Sequence, residues 1–462
     1  MTKICIIPGN IPYVDSYFSN KNVSLILVGD KMLAQWSQSR VVVKSLDKII
    51  DNTGLPTEYD LNHEVSQAYH SVMSVLMNDS AVYHIFERKR KLGYLKAFHF
   101  ELSKACLNCI RIIFDNPVDV LISHNIPHEF HTYVFCATAE TLGVKIIVLR
   151  QNEYFWRVYA ENGMRFGDKI NIPSSCNIES VKNSALQFIA HKKGDYDQAI
   201  TKLEFALKQD YGDSLWNTKI ELKKALKNKG GIIRGLYSFY KSWVVRRYFI
   251  EISKNVDLNA KFIVFYLHHQ AERTTLPEGG LYNQQYFALK VLRGILPKDV
   301  IIYIKEHPRT IRRDYNEKYR GLDFYKELSE IPNVYFVNKL DNDFRLIDES
   351  LFIASVRGSV TVEAVIRGKN AVYFGNGPFK NMPGAYSIEM LLTNKGFINE
   401  IISGLHKPVE EDVQMYFEQA YKNSFGQEAK PEDYSNVELL GASYKELLGE
   451  LIHNMDDIYS KL

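Results

Sequence analysis

Three segments of the sequence place charged and polar residues directly after apolar runs that are typical of buried strands. They read FYLHHQAERTTLPEGG, YIKEHPRT and IASVRGSVTVEAV, and begin at residues 265, 303 and 353. In open parallel sheets, ligands bind outside the carboxyl ends of the strands, where such loops converge. We therefore expect the three segments to form one site, and their residue types favour a phosphate-bearing ligand.

The second segment surrounds a proline with cationic and imidazole side chains. His307 and Arg309 flank Pro308, and Lys305 lies three residues before it. Proline fixes its own φ and biases the preceding histidine toward extended backbone. A histidine held in this way can donate to a phosphate oxygen and stabilise a leaving phosphate. By itself the segment fits a solvated loop better, and the neighbouring segments shift the interpretation to phosphate binding.

The third segment resembles a phosphate loop at a helix start. Gly358 allows close backbone approach, while Ser359 and the first helical N–H groups present the positive end of a helix dipole. Arg357 would add a bidentate charge. Glu363, one turn further, could accept hydrogen bonds from ribose hydroxyls, and we assign Thr361 to the same site. A plain N-cap serine explains Ser359 but not the Arg-Gly before it.

The first segment is expected to form a wall of the same pocket, because a core strand has no need of such polar residues. The residues assigned to this wall are His269, Gln270, Glu272, Arg273 and Glu278. Adjacent residues on a strand point to opposite faces, so His268 and His269 are not expected to share a metal ion.

The first half of the chain has its own polar strand end, LISHNIPHEFH, which begins at residue 121. We predict that Pro127 opens a helix with His128 and Glu129 in its first turn, where either residue could act as a general base. An ordinary helix N-terminus with an acidic first turn fits equally well. A zinc site is not expected, because a proline interrupts the series His124, His128 and His131.

Alternating strand and helix patterns at both ends of the chain predict an α/β fold with two Rossmann-like doubly wound domains facing a cleft. The predicted boundaries are 1–160 for the first domain, 161–260 for a helical, basic insertion, and 261–430 for the second domain. Residues 431–462 have leucines at helical spacing and predict a final helix packing across the domains.

The composition sets limits on partners and location. A net charge of +3 over 462 residues gives no overall field for nucleic acid. The stretch 223–247 holds eight Lys or Arg, no acid and interleaved aromatic residues. It fits an interfacial helix on an anionic membrane or lipid-linked acceptor. It fits equally a solvated helix whose Trp243 and tyrosines pack on the core.

Cysteine usage and hydropathy favour a reducing, cytoplasmic location. Five cysteines in a chain of this length do not form a disulfide framework, and the C-x-x-C of Cys106 and Cys109 predicts buried thiols rather than a metal or redox site. No signal peptide or membrane span is evident. Motifs of P-loop, α/β-hydrolase and zincin enzymes are also absent from the sequence.

The segment KEHP and the serine-bearing loop about fifty residues later resemble the HP and Ser/Thr motifs of bacterial sialyltransferases and β-Kdo transferases. These are GT-B enzymes that use CMP-activated nonulosonic or ulosonic acids. The resemblance covers roughly residues 261–380. The first two segments are also similar to surface-polysaccharide proteins of capsule and O-antigen clusters.

The resemblance implies a GT-B-like glycosyltransferase of capsule or lipopolysaccharide synthesis, with an N-terminal acceptor domain and a C-terminal donor domain. His307 and Ser359 would contact the CMP phosphate. The acidic-acidic-Gly motif has a partial counterpart in Glu278, and Gly358-Ser359 replaces a double serine. The co-substrate would be a CMP-linked sugar, with no metal or other cofactor, a glycan or lipid-linked acceptor and no nucleic acid.

Three alternatives remain open at this point. The first is a UDP- or GDP-sugar transferase, and the second is a UDP-sugar 2-epimerase on the same fold. The third is a non-catalytic glycan-assembly protein. In the transferase interpretation, the catalytic candidates are Glu129, His128 and His307, and the enzyme is cytoplasmic, peripheral at the inner membrane through the basic stretch.

Overall fold

A computed structural model gives the architecture of the greater part of the chain. It describes residues 3–7, 23–28, 42–45, 62–89, 95–124, 126–151, 157–164, 169–170, 178–194, 202–212, 214, 216–228, 231–270, 272–312, 320–337 and 343–424. The final helix predicted within 431–462 lies outside these residues. The chain divides into two compact units, Met1–Phe188 with Phe417–Leu462, and Ile189–Tyr416.

The first unit is built on a seven-stranded sheet in the order β3-β2-β1-β4-β5-β6-β7. All neighbours among the first five strands of this order are parallel, whereas β6 and β7 add antiparallel edges. The strands are β1 Ile4–Ile7, β2 Val23–Val28, β3 Val42–Ser45, β4 Val120–Ser123, β5 Lys145–Gln151, β6 Val158–Asn162 and β7 Lys169–Ile170. Continuous apolar runs in β1 and β4 are buried throughout, as expected for parallel strands covered on both faces.

The second unit contains another seven-stranded sheet, ordered β14-β13-β12-β9-β10-β11-β8, in which every pair is parallel. Its strands are β8 Ser253–Lys254, β9 Phe262–Tyr266, β10 Ile301–Lys305, β11 Val334–Val337, β12 Ile353–Ser355, β13 Ala371–Tyr373 and β14 Ala385–Ser387. The fold class predicted from the sequence, two Rossmann-like doubly wound α/β units as in GT-B proteins, is therefore confirmed.

Helices account for most of the remaining described residues. Before β8 they are α1 His63–Met77, α2 Ser80–Lys89, α3 Leu95–Asp115, α4 Phe130–Thr141, α5 Ile178–Lys193, α6 Lys202–Tyr211, α7 Thr218–Leu226 and α8 Ile232–Ile252. After β9 they are α9 Gln285–Ile295, α10 Pro308–Arg312, α11 Leu322–Ser329, α12 Asp343–Glu349, α13 Val360–Ile366, α14 Ile388–Thr393, α15 Phe397–Ser403 and α16 Glu410–Lys422. No helix within the described ranges is long and apolar enough to cross a membrane.

Local sequence explains several helix boundaries, and one predicted boundary is wrong. Asn62 caps α1 by accepting a hydrogen bond from the backbone N–H of Val65 at 2.8 Å. Gly143, with φ of 85°, follows the end of α4, where a left-handed residue is favoured. However, α4 begins at Phe130 rather than at Pro127, because Glu129 keeps an extended backbone as the N-cap residue.

The second sheet buries side chains on both of its faces. Along β9, Ile263 and Phe265 enter a core shared with α8, α9 and α11. The alternate residues Phe262 and Val264 pack on the opposite face with Leu346 of α12. This alternation fixes the strand register, since a slip by one residue would exchange the two faces. The register in turn fixes which residues emerge at the carboxyl ends of the strands.

The four cysteines that the structure describes are buried and form no disulfide with one another. Cys106 and Cys109 of α3 lie in the interior with Cys5 and Cys136. Burial raises the pKa of Cys106 to about 12 and raises that of Cys109 well above its usual value. The C-x-x-C spacing here follows helical core packing.

Iodoacetamide applied to the native protein should therefore leave Cys106 and Cys109 unmodified, because their thiols are buried and protonated. The same reagent in denaturant should label both residues. Peptide mass mapping after each treatment provides the measurement, and the denatured sample is the control for reagent activity. Native labelling of either cysteine would contradict the burial.

Candidate ligand site at the carboxyl ends of the second sheet

The second sheet reverses its winding direction between β9 and β12. The chain passes from β9 to β10 and β11 on one side, then crosses β9 and continues as β12, β13 and β14. Loops diverge at such a switch point and leave a crevice outside the strand carboxyl ends. The three polar segments identified in the sequence follow β9, β10 and β12, so all three emerge around this point. We call the parts of these segments that follow each strand the β9, β10 and β12 loops.

Two consecutive histidines connect the β9 loop to the loops on either side. Nε2 of His268 accepts a hydrogen bond from the backbone N–H of Arg357, at 2.9 Å. Nδ1 of His269 lies 3.0 Å from Oγ1 of Thr310 in α10, and the His269 and His307 rings are 5.8 Å apart between centroids. The two imidazoles diverge, and the β9 loop lies between the β10 and β12 loops, joining them.

The hydrogen bonds of His268 define its protonation state. Ser355 accepts from the N–H of Gly358 at 3.0 Å, and its hydroxyl lies 3.0 Å from Nε2 of His268. Nε2 therefore acts as an acceptor, and the ring proton resides on Nδ1. Burial, and after it the electrostatic effect of the neighbouring His307 and Arg357 side chains, lowers the pKa of His268 to about 3. A neutral imidazole here orders the β12 loop. Neither His268 nor Ser355 was assigned to the site from the sequence.

Gly358 occupies a position with no room for a side chain. A Cβ added there would lie 2.7 Å from Oγ of Ser355 and 3.3 Å from Cε1 of His268. The close approach that the sequence suggested at this glycine is thus made by the protein's own side chains. Glycine is required because it lets the β12 loop fold over the His268–Ser355 pair.

Arg357 is buried in an ion pair and so is less exposed than the sequence analysis assumed. Its NH1 lies 3.1 Å from Oε2 of Glu278, and the two side chains are 4% and 0% exposed. Its Nε donates to the carbonyl oxygen of Asn376 at 3.0 Å, and Nε of Arg273 lies 3.6 Å from the same Glu278 oxygen. Since a buried charge needs a partner, Arg357 and Glu278 fix the β9 and β12 loops to each other.

Lys305 is also buried and paired, in this case with Asp343 at the start of α12. Both of these charges act on the pKa of Glu363 in α13, whose Oε1 lies 3.8 Å from Nζ of Lys192. Burial raises the pKa of Glu363, and Asp343 raises it further, while Lys192 and Lys305 oppose the rise. The predicted ribose-binding carboxylate is thus part of a mixed-charge group.

The buried side chain of Arg320 links the β9 and β10 loops. Its guanidinium donates to Oε2 of Glu306 at 3.0 Å, to Oε1 of Gln270 at 2.8 Å and to the carbonyl of His268 at 2.9 Å. Tyr325 donates to the same Glu306 oxygen at 2.9 Å. Gln270, expected to line the pocket, is thus buried in this network. Sequence reasoning missed Arg320, because no local pattern connects it with the strand ends.

The predicted phosphate-binding side chains that remain accessible are His307, which is half-buried, and Arg309 and Ser359, which are exposed. Nδ1 of His307 accepts from the Arg309 N–H at 3.3 Å, so the proton of the neutral ring is on Nε2. NH1 of Arg309 lies 3.8 Å from Oε1 of Glu272. Ser359 makes no capping hydrogen bond with its side chain. Oγ1 of Thr361 is buried and has no hydrogen-bond partner among the described residues.

The polar strand end of the first unit follows β4, next to the switch point between β1 and β4. His128 is half-buried, and its Nδ1 lies 2.8 Å from the carbonyl oxygen of Ile126. In the neutral ring, this contact places the proton on Nδ1 and the lone pair on Nε2. Glu129 is exposed, and its side chain makes no capping hydrogen bond. Among the described residues, no group of three His, Cys, Asp or Glu is placed to hold a metal ion.

Comparisons with known proteins give a distant likeness only. No protein-family model matches the chain, and no curated protein matches it. A solved structure of UDP-GlcNAc 2-epimerase from Methanocaldococcus jannaschii is similar over 91% of this chain and 99% of that one, with 12% identity and a TM-score of 0.24.

Two further solved structures show the same degree of similarity. The match to the β-Kdo 2,7 transferase KpsC from Thermosulfurimonas dismutans covers 74% of this chain and 95% of that one, with 12% identity and a TM-score of 0.28. The match to Anabaena HepE in complex with UDP-glucose covers 98% of this chain and 99% of that one, also with 12% identity and a TM-score of 0.28. Likeness at this level does not define an activity, which the residues themselves have to indicate.

Replacing Gly358 with alanine should destabilise the protein by about 1–3 kcal/mol, the usual cost of forcing atoms into a packed site. The matched control is Gly294→Ala in α9, where a new Cβ meets nothing within 4 Å. That change should stabilise by about 0.5–1 kcal/mol, because alanine is the better helix residue. Urea midpoints of both variants test this, and equal midpoints would contradict the packing around Gly358.

The lowered pKa of His268 predicts a specific acid sensitivity. An unfolded histidine titrates at about 6.5, whereas folding holds the pKa of His268 at about 3. The unfolded state therefore binds more protons between these values. The stabilising effect of the neutral ring is complete above pH 6.5 and is lost progressively as the pH falls toward 3.

His268→Gln removes this titration while keeping a neutral side chain with an acceptor. Between pH 7 and pH 5, the stability advantage of the wild type over the variant should shrink by about 2 kcal/mol, at roughly 1.4 kcal/mol per unit below pH 6.5. Urea unfolding at several pH values measures this difference. A difference that does not change with pH would show that His268 does not titrate in this way.

Proposed function

We propose that this chain is a nucleotide-sugar-dependent glycosyltransferase of bacterial surface-polysaccharide synthesis. The donor phosphate would bind outside the carboxyl ends of β10 and β12. The observation that carries the proposal is the joining of the β9, β10 and β12 loops at the switch point by His268 and His269. His307 directly precedes α10, and its neutral ring carries the proton on Nε2 because Nδ1 accepts from the Arg309 N–H.

The proposed chemistry is departure of a nucleotide from the sugar carbon as an acceptor hydroxyl attacks. Negative charge increases on the leaving phosphate in the transition state, and fixed donors at that position lower the barrier. His307 would donate from Nε2, with Arg309 and Ser359 as further partners. Lys305 and Arg357 would hold the loops in place through their carboxylate partners.

We further propose a CMP-linked nonulosonic or Kdo-type acid as the donor. The resemblance of His307-Pro308 and Ser359 to the HP and Ser/Thr motifs supports this choice. The charge distribution supports it as well, because several site cations are already paired with carboxylates. A single phosphodiester carries less negative charge than a diphosphate and so needs fewer further cations.

The acceptor hydroxyl would lose its proton to His128 or Glu129. The tautomer that donates from Nδ1 to Ile126 gives His128 a basic Nε2. Glu129 is exposed and lies outside the helix that it precedes. Either group has the chemistry of a general base, and the variants Glu129→Gln and His128→Ala would separate their roles.

The first test is nucleotide binding measured by calorimetry with CMP, UDP, GDP and ADP, each with and without EDTA. We expect CMP to bind selectively and EDTA to have no effect. His307→Ala should weaken CMP binding by roughly 10- to 100-fold, which corresponds to the loss of a hydrogen bond to a charged group. The matched control, His406→Ala, removes an exposed histidine that pairs with Glu400 elsewhere in the unit and should bind normally.

Other results would point to the alternatives. Selective binding of UDP, with conversion of a UDP-sugar in the absence of an acceptor, would indicate an epimerase. Nucleotide binding without turnover of any donor and acceptor pair would indicate a glycan-assembly protein. Equal CMP binding by the wild type and His307→Ala would remove His307 from the site.

A further inference from the structure

Helices α7 and α8 form a closely packed hairpin in the second unit. A Cβ added to Gly235 of α8 would lie 2.0 Å from the carbonyl oxygen of Ala225 in α7, so the two backbones touch at this crossing. Further along α8, Val245 and Phe249 enter the core beside the sheet. One face of α8 is thus committed to the protein interior.

The outward face of α8 is apolar, which is unusual for a surface helix. Ile233 is 86% exposed, Tyr240 60% and Tyr237 58%. Helical spacing aligns these residues with other exposed apolar residues, and together they form what we call the α8 stripe: Ile233, Leu236, Tyr237, Tyr240, Trp243 and Ile250. The rings that could have packed on the core therefore face outward, and an ordinary solvated helix would carry polar residues at these positions.

Positive charge lies beside and within the α8 stripe. Within α8, the cations Arg234 and Arg247 are exposed, and the exposed acid is Glu251 near the end of the helix. The Arg247 guanidinium lies 5.5 Å from the Trp243 ring, and Nζ of Lys241 lies 4.7 Å from the Tyr237 ring. Cations next to exposed aromatic rings are typical of the boundary between lipid chains and headgroups.

We propose that the α8 stripe docks the protein on an anionic lipid bilayer, with the flanking cations at the headgroup phosphates. An anionic surface supplies both an apolar layer and the complementary charge. A second copy of the chain fits less well, because a two-fold contact through this face would oppose cations with cations. The inference is independent of the donor chemistry and adds a membrane partner to it.

The test is flotation of the full chain with vesicles of phosphatidylcholine alone and of an equal mixture of phosphatidylcholine and phosphatidylglycerol. We expect binding to the mixed vesicles only, weakening as salt is added. Arg234→Gln with Arg247→Gln should weaken binding on the order of 30-fold, since each cation near such a surface contributes about fivefold. Ile233→Ser with Tyr237→Ser should also reduce binding, by removing buried apolar area.

The matched control is Leu405→Ser. Leu405 is 72% exposed and precedes His406, whose carbonyl accepts from Tyr386 of β14, at the sheet edge opposite β8. This variant should bind vesicles like the wild type. Absence of binding, equal binding to both vesicle types, or unchanged binding by the stripe variants would overturn the proposal. So would a dimer in solution that dissociates on stripe substitution without any vesicle binding. CMP titration of the same samples reports separately on the donor site.

Discussion

The hydrogen bond from the backbone N–H of Arg357 to Nε2 of His268 is the contact on which the candidate site depends. It crosses the switch point between β9 and β12 and requires a neutral imidazole, which burial provides. Ser355 completes the contact by accepting from Gly358 and donating to the same ring. The β12 loop can fold in this way only because residue 358 lacks a side chain. The imidazole of His268, which follows β9, thus binds both the end of β12 and the backbone of the loop after it.

Around this contact, the site consists largely of buried ion pairs. The pairs Arg357–Glu278 and Arg320–Glu306 are fully withdrawn from water, and buried Lys305 pairs with the partly exposed Asp343. Such pairs add little net stability compared with apolar packing, yet loss of one partner is costly, at roughly 3–5 kcal/mol. Their effect here is geometric, since each pair links segments that are distant in sequence. Rigid loops can then present a few accessible donors, with His307 foremost, to an anionic ligand.

Much of the architecture could be predicted from sequence because it follows from hydrophobic periodicity. The apolar runs of β1, β4, β9 and β10 are buried parallel strands, as their composition indicates. The start of α4 was placed wrongly at Pro127. A proline tolerated at a first helical position does not require a helix there, and the actual N-cap, Glu129, lacks the side-chain cap that would mark it in sequence.

The sequence by itself determined which chemical groups follow the strands of the second sheet, because strand register and loop order are local properties. It did not determine how those groups are paired. Arg357 and Lys305 looked like available cations, but their carboxylate partners lie 79 and 38 residues away in the chain. Arg320 carried no signal at all. Charge pairing inside a protein depends on which loops meet, and desolvation then forces each buried charge to find a partner. Only the tertiary structure decided that His268 would join the loops and that His307 would remain accessible.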